Sequence, residues 1–170
     1  FENQIAYMKR VWSGEDVDPD NDVGPMGPPP VQKGGPEILI GGGTPQAIAR
    51  AGRLADGFLA AGTQPESVEA SYKMAVDAWN EAGKSGKPRL AAVASYALGP
   101  NAANVAGDYI RHYYSFLGPV AEQMAQNAVS STEALTGMIS DLEGIGMDEL
   151  VFLPTAAEMG QLDRLADIVG

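Results

Sequence analysis

Residues 36–45 read Pro-Glu-Ile-Leu-Ile-Gly-Gly-Gly-Thr-Pro. The run Glu37-Ile38-Leu39-Ile40 is short and almost continuously apolar, the pattern of a strand buried on both faces. It stops at Gly41-Gly42-Gly43. Thr44 then supplies a side-chain oxygen suited to capping a helix, and Pro45 fits the first helical position, where no N–H is needed. Ile48, Ala51 and Leu54 recur at helical spacing and mark the packing face of a helix over 45–54. Strand, glycine turn and capped helix together predict the opening of a βα unit.

The same order repeats downstream. Asp56-Gly57 turns the chain into Phe58-Leu59-Ala60-Ala61, and Pro65 opens a helix to about Ala82 with Val68, Tyr72, Ala75, Val76 and Trp79 inward. Gly83 suits a left-handed stop. A third strand spans Leu90 to Leu98 and ends at Gly99-Pro100, followed by helices over roughly 102–116 and 119–128. Ser130 with Glu133 forms a capping-box pattern for a helix to about Leu142. Leu150-Val151-Phe152-Leu153 reads as the fourth strand, closed by Pro154. Thr155 with Glu158 repeats the capping pattern before a terminal helix carrying Leu162, Leu165, Ala166 and Val169. Ahead of all this, Ile5, Met8, Val11 and Trp12 form the stripe of an amphipathic helix over 2–13. Repeated strand–helix units predict an α/β fold with a parallel sheet and right-handed crossovers. Two architectures fit: an open αβ sandwich, or part of a (βα)8 barrel, which takes about 250 residues when whole.

Composition narrows the function. The chain has 170 residues, with Lys+Arg 11 against Asp+Glu 22 and a net charge of −11. That balance argues against a nucleic-acid or anionic-membrane surface, because phosphates need local positive charge. Cysteine is absent, which excludes disulfides, thiolate nucleophiles and sulfur-ligated metal centres, and a single His is too few for a multi-His site. No apolar run approaches the roughly 18 residues of a membrane span, and no secretory pattern is visible, as expected of a soluble cytoplasmic protein. The start at Phe1 rather than Met is expected of a trimmed or incomplete chain.

Residues 15–36 are rich in acids, proline and glycine and read as an irregular, solvated insertion. Asp16, Asp18, Asp20 and Asp22 alternate like the start of a calcium loop. Asn21 stands where that loop needs Gly, and Gly27 where it needs the bidentate Glu, so no metal site is expected.

Three stretches together resemble the luciferase-like flavin- or deazaflavin-dependent oxidoreductases, a (βα)8 family. They are Pro36 to Pro45 continued by Ala49-Arg-Ala-Gly-Arg-Leu-Ala-Asp-Gly-Phe58; Gly146-Met-Asp-Glu-Leu-Val-Phe-Leu-Pro154; and Gln161-Leu-Asp-Arg-Leu-Ala166. The helix ending Val11-Trp12-Ser13-Gly14 is similar to the one before the family's variable insertion. The resemblance implies a partial TIM barrel: residues 1–170 form a single domain fragment carrying βα units five to eight. It further implies a missing N-terminal half, a cleaved partner fragment, or a second half-barrel chain that closes a homo-oligomer, with an altered, self-contained fold as the alternative. FMN or a deazaflavin of the F420 type would be the cofactor, with a small organic molecule as substrate. Catalytic residues of the family come partly from the absent half, so none is assigned here, and the fragment alone is expected to be inactive.

Cofactor contacts are expected at Gly41, Gly42, Gly43 and Thr44, where small residues and a helix N-terminus suit a phosphate. The same turn also reads as a tight βα connection with a Thr cap. Arg50 and Arg53 follow closely, suited either to a phosphate or to surface ion pairs, for instance with Asp56. Ser95 and Tyr96 end the third strand, where a barrel mouth lies. Tyr96 reads either as a stacking partner for a flavin ring or as a core residue with a satisfied hydroxyl. His112, among Tyr109, Tyr113 and Tyr114, reads as a packed or surface residue, and the acid pairs Asp141/Glu143 and Asp148/Glu149 as solvated charges. A noncatalytic half-barrel interaction module and a small-ligand-binding module remain the alternatives to an enzyme.

Overall fold

The computed structural model describes residues 1–21 and 24–170. Asp22, the last acid of the calcium-like alternation, lies outside the described residues. The elements run α1 (Glu2–Trp12), β1 (Leu39–Gly41), α2 (Pro45–Leu54), β2 (Gly57–Ala60), α3 (Pro65–Glu81), β3 (Arg89–Tyr96), α4 (Ala102–Tyr113), α5 (Pro119–Gln126), α6 (Thr132–Gly144), β4 (Glu149–Pro154) and α7 (Gly160–Val169). The four strands form one sheet in the order β1-β2-β3-β4, and every pair is parallel. The α/β reading with parallel strands therefore holds. Among the described residues no helix is long and apolar enough to cross a membrane.

Alternation along the strands divides the sheet into two unlike faces. Ile40, Phe58, Leu90, Ala92, Tyr96 and Phe152 point to the side covered by helices and pack with Ile48 of α2, Val68 and Ala75 of α3, and Leu135, Met138 and Leu142 of α6. On the opposite face stand Leu59, Val93 and Ser95, all half-buried, with Val151 and Leu153 40% and 46% exposed. Among the described residues α2, α3 and α6 leave this second face uncovered, and α4 and α5 approach it only at its C-terminal end.

Several boundaries differ from the sequence reading, each for a local reason. The first strand starts at Leu39 rather than Glu37. The Ile38 N–H donates to Asp56 Oδ2 (2.9 Å), and its carbonyl accepts from the N–H groups of Asp56 and Gly57, so a turn takes over those groups. The helix expected over 102–116 stops at Tyr113, and Ser115–Leu117 tightens into a single 3-10 turn. The cap of α6 is Ser131, not Ser130: its side chain accepts from Ala134 N–H (3.1 Å). Thr155 caps nothing. Its hydroxyl donates to the Tyr96 carbonyl, and α7 begins only at Gly160. Of the α1 stripe only Ile5 is fully buried. Trp12 instead meets the end of the acidic insertion at Gly35, where a Cβ would overlap its ring.

Helices α2 and α3 cross very closely. A Cβ at Gly52 would fall 2.7 Å from Ala78 Cβ and 2.9 Å from the Trp79 nitrogen, and would overlap the Ala75 carbonyl. Because two of these neighbours are backbone, they cannot rotate away. Gly52→Ala is expected to destabilise the fold by about 1–3 kcal/mol through overpacking, despite the better helix propensity of alanine. Urea unfolding of the two proteins measures this directly.

Candidate active site

Thr44 behaves as its sequence position suggests: it is the N-cap of α2, and its Oγ1 accepts from Ala47 N–H at 3.3 Å. Pro45 occupies the first turn. Gly41 sits against the Leu59 carbonyl, where a Cβ would lie 3.3 Å away, and a Cβ on Gly42 would overlap Ala47. Packing of the turn itself therefore requires glycine at 42 and leaves little room for a side chain at 41. Gly43 has room, its nearest neighbour being Ala61 Cβ at 3.7 Å. Among the described residues no backbone acceptor meets the N–H groups of Gly43, Thr44 or Gln46. This donor set, at the positive end of a helix dipole, fits an anionic phosphate oxygen.

Arg50 does not join the turn. Its Nε donates to Glu2 Oε1 (3.1 Å), its guanidinium lies 5.5 Å from the Phe1 ring centre, and Arg53 bonds the same carboxylate at 3.2 Å. Both arginines thus fasten α1 to α2. Asp56, offered as their surface partner, bonds the Ile38 backbone instead.

Tyr96 is fully buried on the helix-covered face. Its hydroxyl donates to the Gln161 carbonyl (3.1 Å), and its ring meets Phe152 edge-on at 6.0 Å. The structure places Tyr96 as a core residue with a satisfied hydroxyl, and its ring faces the helix-covered side rather than the groove. Adjacent strand residues point to opposite faces, so Ser95 and Tyr96 cannot both look into one mouth. Ser95 is the one that does.

Ser95 lines a groove of about 540 Å³ at the C-terminal ends of β2 and β3. Leu59, Val93 and Leu153 of the bare sheet face share it, together with the β2–α3 loop through Thr63 and Gln64. Ile110 and Tyr114 of the α4 region, Met124 of α5, and Asn127 close it from above. Burial, together with the neighbouring phenols Tyr113 and Tyr109, pushes the Tyr114 hydroxyl up from its ordinary range. The helical wall was missed in the sequence. Its signal was the four-residue recurrence Ala102, Ala106, Ile110, Tyr114, which places one face of α4 inward. His112 is exposed on α4. Among the described residues no group of three or more His, Cys, Asp or Glu converges to hold a metal.

The description "luciferase-like monooxygenase" matches the chain over residues 1–152. The chain belongs to that family. Among curated proteins none matches it. Solved structures sharing the luciferase-like fold include an F420-dependent secondary alcohol dehydrogenase, crystallised with an F420–acetone adduct. It aligns at 14% identity with a TM-score of 0.69, covering 97% of this chain and 58% of its own. A monooxygenase from Streptomyces bottropensis aligns at 18% identity and TM-score 0.60, covering 96% of this chain and 56% of its own. A riboflavin lyase, solved with modified FMN and riboflavin, aligns at 12% identity and TM-score 0.60, covering 86% and 44%. This luciferase-like chain spans little more than half the length of the first two and less than half of the third.

Two clasps hold the elements around the groove in place. Gln161, 4% exposed, reads the Leu98 backbone on both sides: its Nε2 donates to the carbonyl (2.9 Å) and its Oε1 accepts the N–H (2.8 Å). Gln161→Ala leaves both Leu98 groups without partners and is expected to cost about 2–3 kcal/mol in chemical denaturation. The second clasp is Arg111, which bonds Glu122 through Nε (2.7 Å) and Nη2 (3.2 Å) and so ties α4 to α5. The Arg111 hydrogen bond, aided by Gln126, holds the Glu122 carboxyl below the usual carboxylate range. A depressed acid stabilises above its unfolded value and loses that contribution as pH falls through its folded value. Amide exchange in α5, corrected for intrinsic rates, is therefore expected to rise on acidification through the carboxylate range, and Glu122→Gln to flatten that rise.

Proposed function

We propose that this chain is the C-terminal half, βα units five to eight, of an oxidoreductase barrel that uses FMN or an F420-type deazaflavin, and that turnover requires the other half. The observation that carries the reading is the pairing of an unpartnered donor turn at Gly43-Thr44 with a groove at the C-terminal ends of the strands. Ligands to parallel α/β folds bind at that end. Among the described residues both outer strands also have an open edge, and the uncovered sheet face carries Leu59, Val93, Val151 and Leu153 toward the C-terminal ends of the strands, with the Arg89–Glu149 ion pair toward their N-terminal ends, which suits the inner face of an unclosed barrel. The solved structures that carry F420 or FMN lend the cofactor class.

In this reading the N–H groups of Gly43, Thr44 and Gln46 hold the cofactor's phosphate without help from a cation. Leu59, Val93 and Ser95 form the floor beneath the groove, and Ile110, Tyr114 and Met124 keep water from one side of it. When bound, the flavin or deazaflavin supplies the electron or hydride chemistry. The chain's own part is to bind, to orient and to exclude solvent. The protein works in the cytoplasm, with a complementary half or a second copy covering Val151 and Leu153. That exposed apolar pair also supports a second reading, in which the half-barrel is a noncatalytic interaction module.

FMN and riboflavin differ only by the phosphate, which makes them the decisive pair. Titrating the chain with each is expected to show FMN binding about tenfold or more tightly, the range for charge-assisted hydrogen bonds. Gly43→Asp should erase that difference. Equal binding of the two flavins by the unaltered chain would remove the phosphate turn from the proposal. Self-association by native mass with neither flavin bound would favour the interaction module.

A further inference from the structure

We propose that the groove accepts an uncharged, predominantly apolar organic substrate, and that the helical wall of Ile110, Tyr114 and Met124 is what selects it. This rests on the groove being the reaction site of the half-barrel. The chain carries 22 acidic and 11 basic residues, yet the groove lining holds no carboxylate, ammonium, guanidinium or imidazole among the described residues. Its volume, about 540 Å³, suits a small molecule rather than a peptide segment. A carboxylate or ammonium entering it would lose water and meet no counter-charge from this half, an unfavourable exchange. The polar side chains present, Thr63, Gln64, Ser95, Tyr114 and Asn127, are all neutral and suited to hydroxyl or carbonyl groups rather than to a charge.

The selecting wall is set before anything binds. Arg111 and Glu122 lock α4 to α5, Asn127 Nδ2 donates to the Gln123 carbonyl (2.8 Å), and Ala97 N–H donates to the Val129 carbonyl (3.0 Å). Three separate ties thus fix the segment between β3 and α6, so an apolar guest does not have to order it. The raised Tyr114 hydroxyl stays protonated at neutral pH and adds a donor without adding charge.

The test uses N-phenyl-1-naphthylamine and its 8-sulfonate, which share one aromatic frame and differ in charge. Fluorescence titration of the chain is expected to give binding of the neutral amine and about tenfold or more weaker binding of the sulfonate. Met124→Glu and Thr63→Asp each place a charge in the groove from a different element, and each should weaken the neutral probe by a similar factor. Met124→Leu should retain it, with circular dichroism confirming the fold of every variant. Equal binding of the two probes overturns the proposal. So does neutral-probe binding that neither charge substitution changes, because the probe then sits elsewhere, as on the bare face at Val151 and Leu153. FMN titrated in parallel separates this from the cofactor reading. Flavin binding without probe discrimination defeats the substrate class alone, and discrimination without flavin binding defeats the redox role alone.

Discussion

A parallel sheet must be covered on both faces, and here the outer layer covers one. Everything else about this fold follows from that asymmetry. Phe58, Leu90 and Tyr96 fix one side of the sheet against α2, α3 and α6. The residues between them, Leu59, Val93 and Ser95, are thereby committed to the other side. The packing of α2, α3 and α6 decides which strand side chains face the groove, and α4 and α5 supply its wall.

Position within the strand, more than residue type, therefore separates core residues from groove residues. Ser95 and Tyr96 are neighbours in sequence and both carry hydroxyls. One lines the groove and the other is sealed in the core by Gln161. The same logic divides the glycine turn. Gly41 and Gly42 allow helix and strand to approach, whereas Gly43 leaves open space that a ligand can use.

Local signals were legible in the sequence and distant ones were not. Thr44 and Pro45 act within their own turn, so the start of α2 could be read directly. The four strands followed from short apolar runs bounded by glycine, proline or acid. Partners brought from far along the chain left no such trace. Arg50 pairs with Glu2, and Gln161 clasps Leu98, and neither pairing has a periodic pattern to announce it. Capping was misplaced by one residue at Ser130 because Ser130 and Ser131 offer the same chemistry, and only backbone geometry chooses between them. The groove wall was hidden because its residues come from α4 and α5, whose inward faces depend on how the two helices meet.

The register of the sheet also has a kinetic meaning. Leu39 meets Gly57, Gly57 meets Arg89, and Ala91 meets Glu149, so each successive strand pair closes a longer loop than the one before. Loop-closure entropy rises with the length closed, and non-local pairing slows folding. Assembly should therefore proceed from β1 toward β4, with the segment from α4 to α6 gathered in before the last strand docks. Until that moment β3 is an edge, and the apolar ends of the sheet stand open to any strand that arrives first. During synthesis this part of the sheet is thus most vulnerable to mispairing just before β4 emerges.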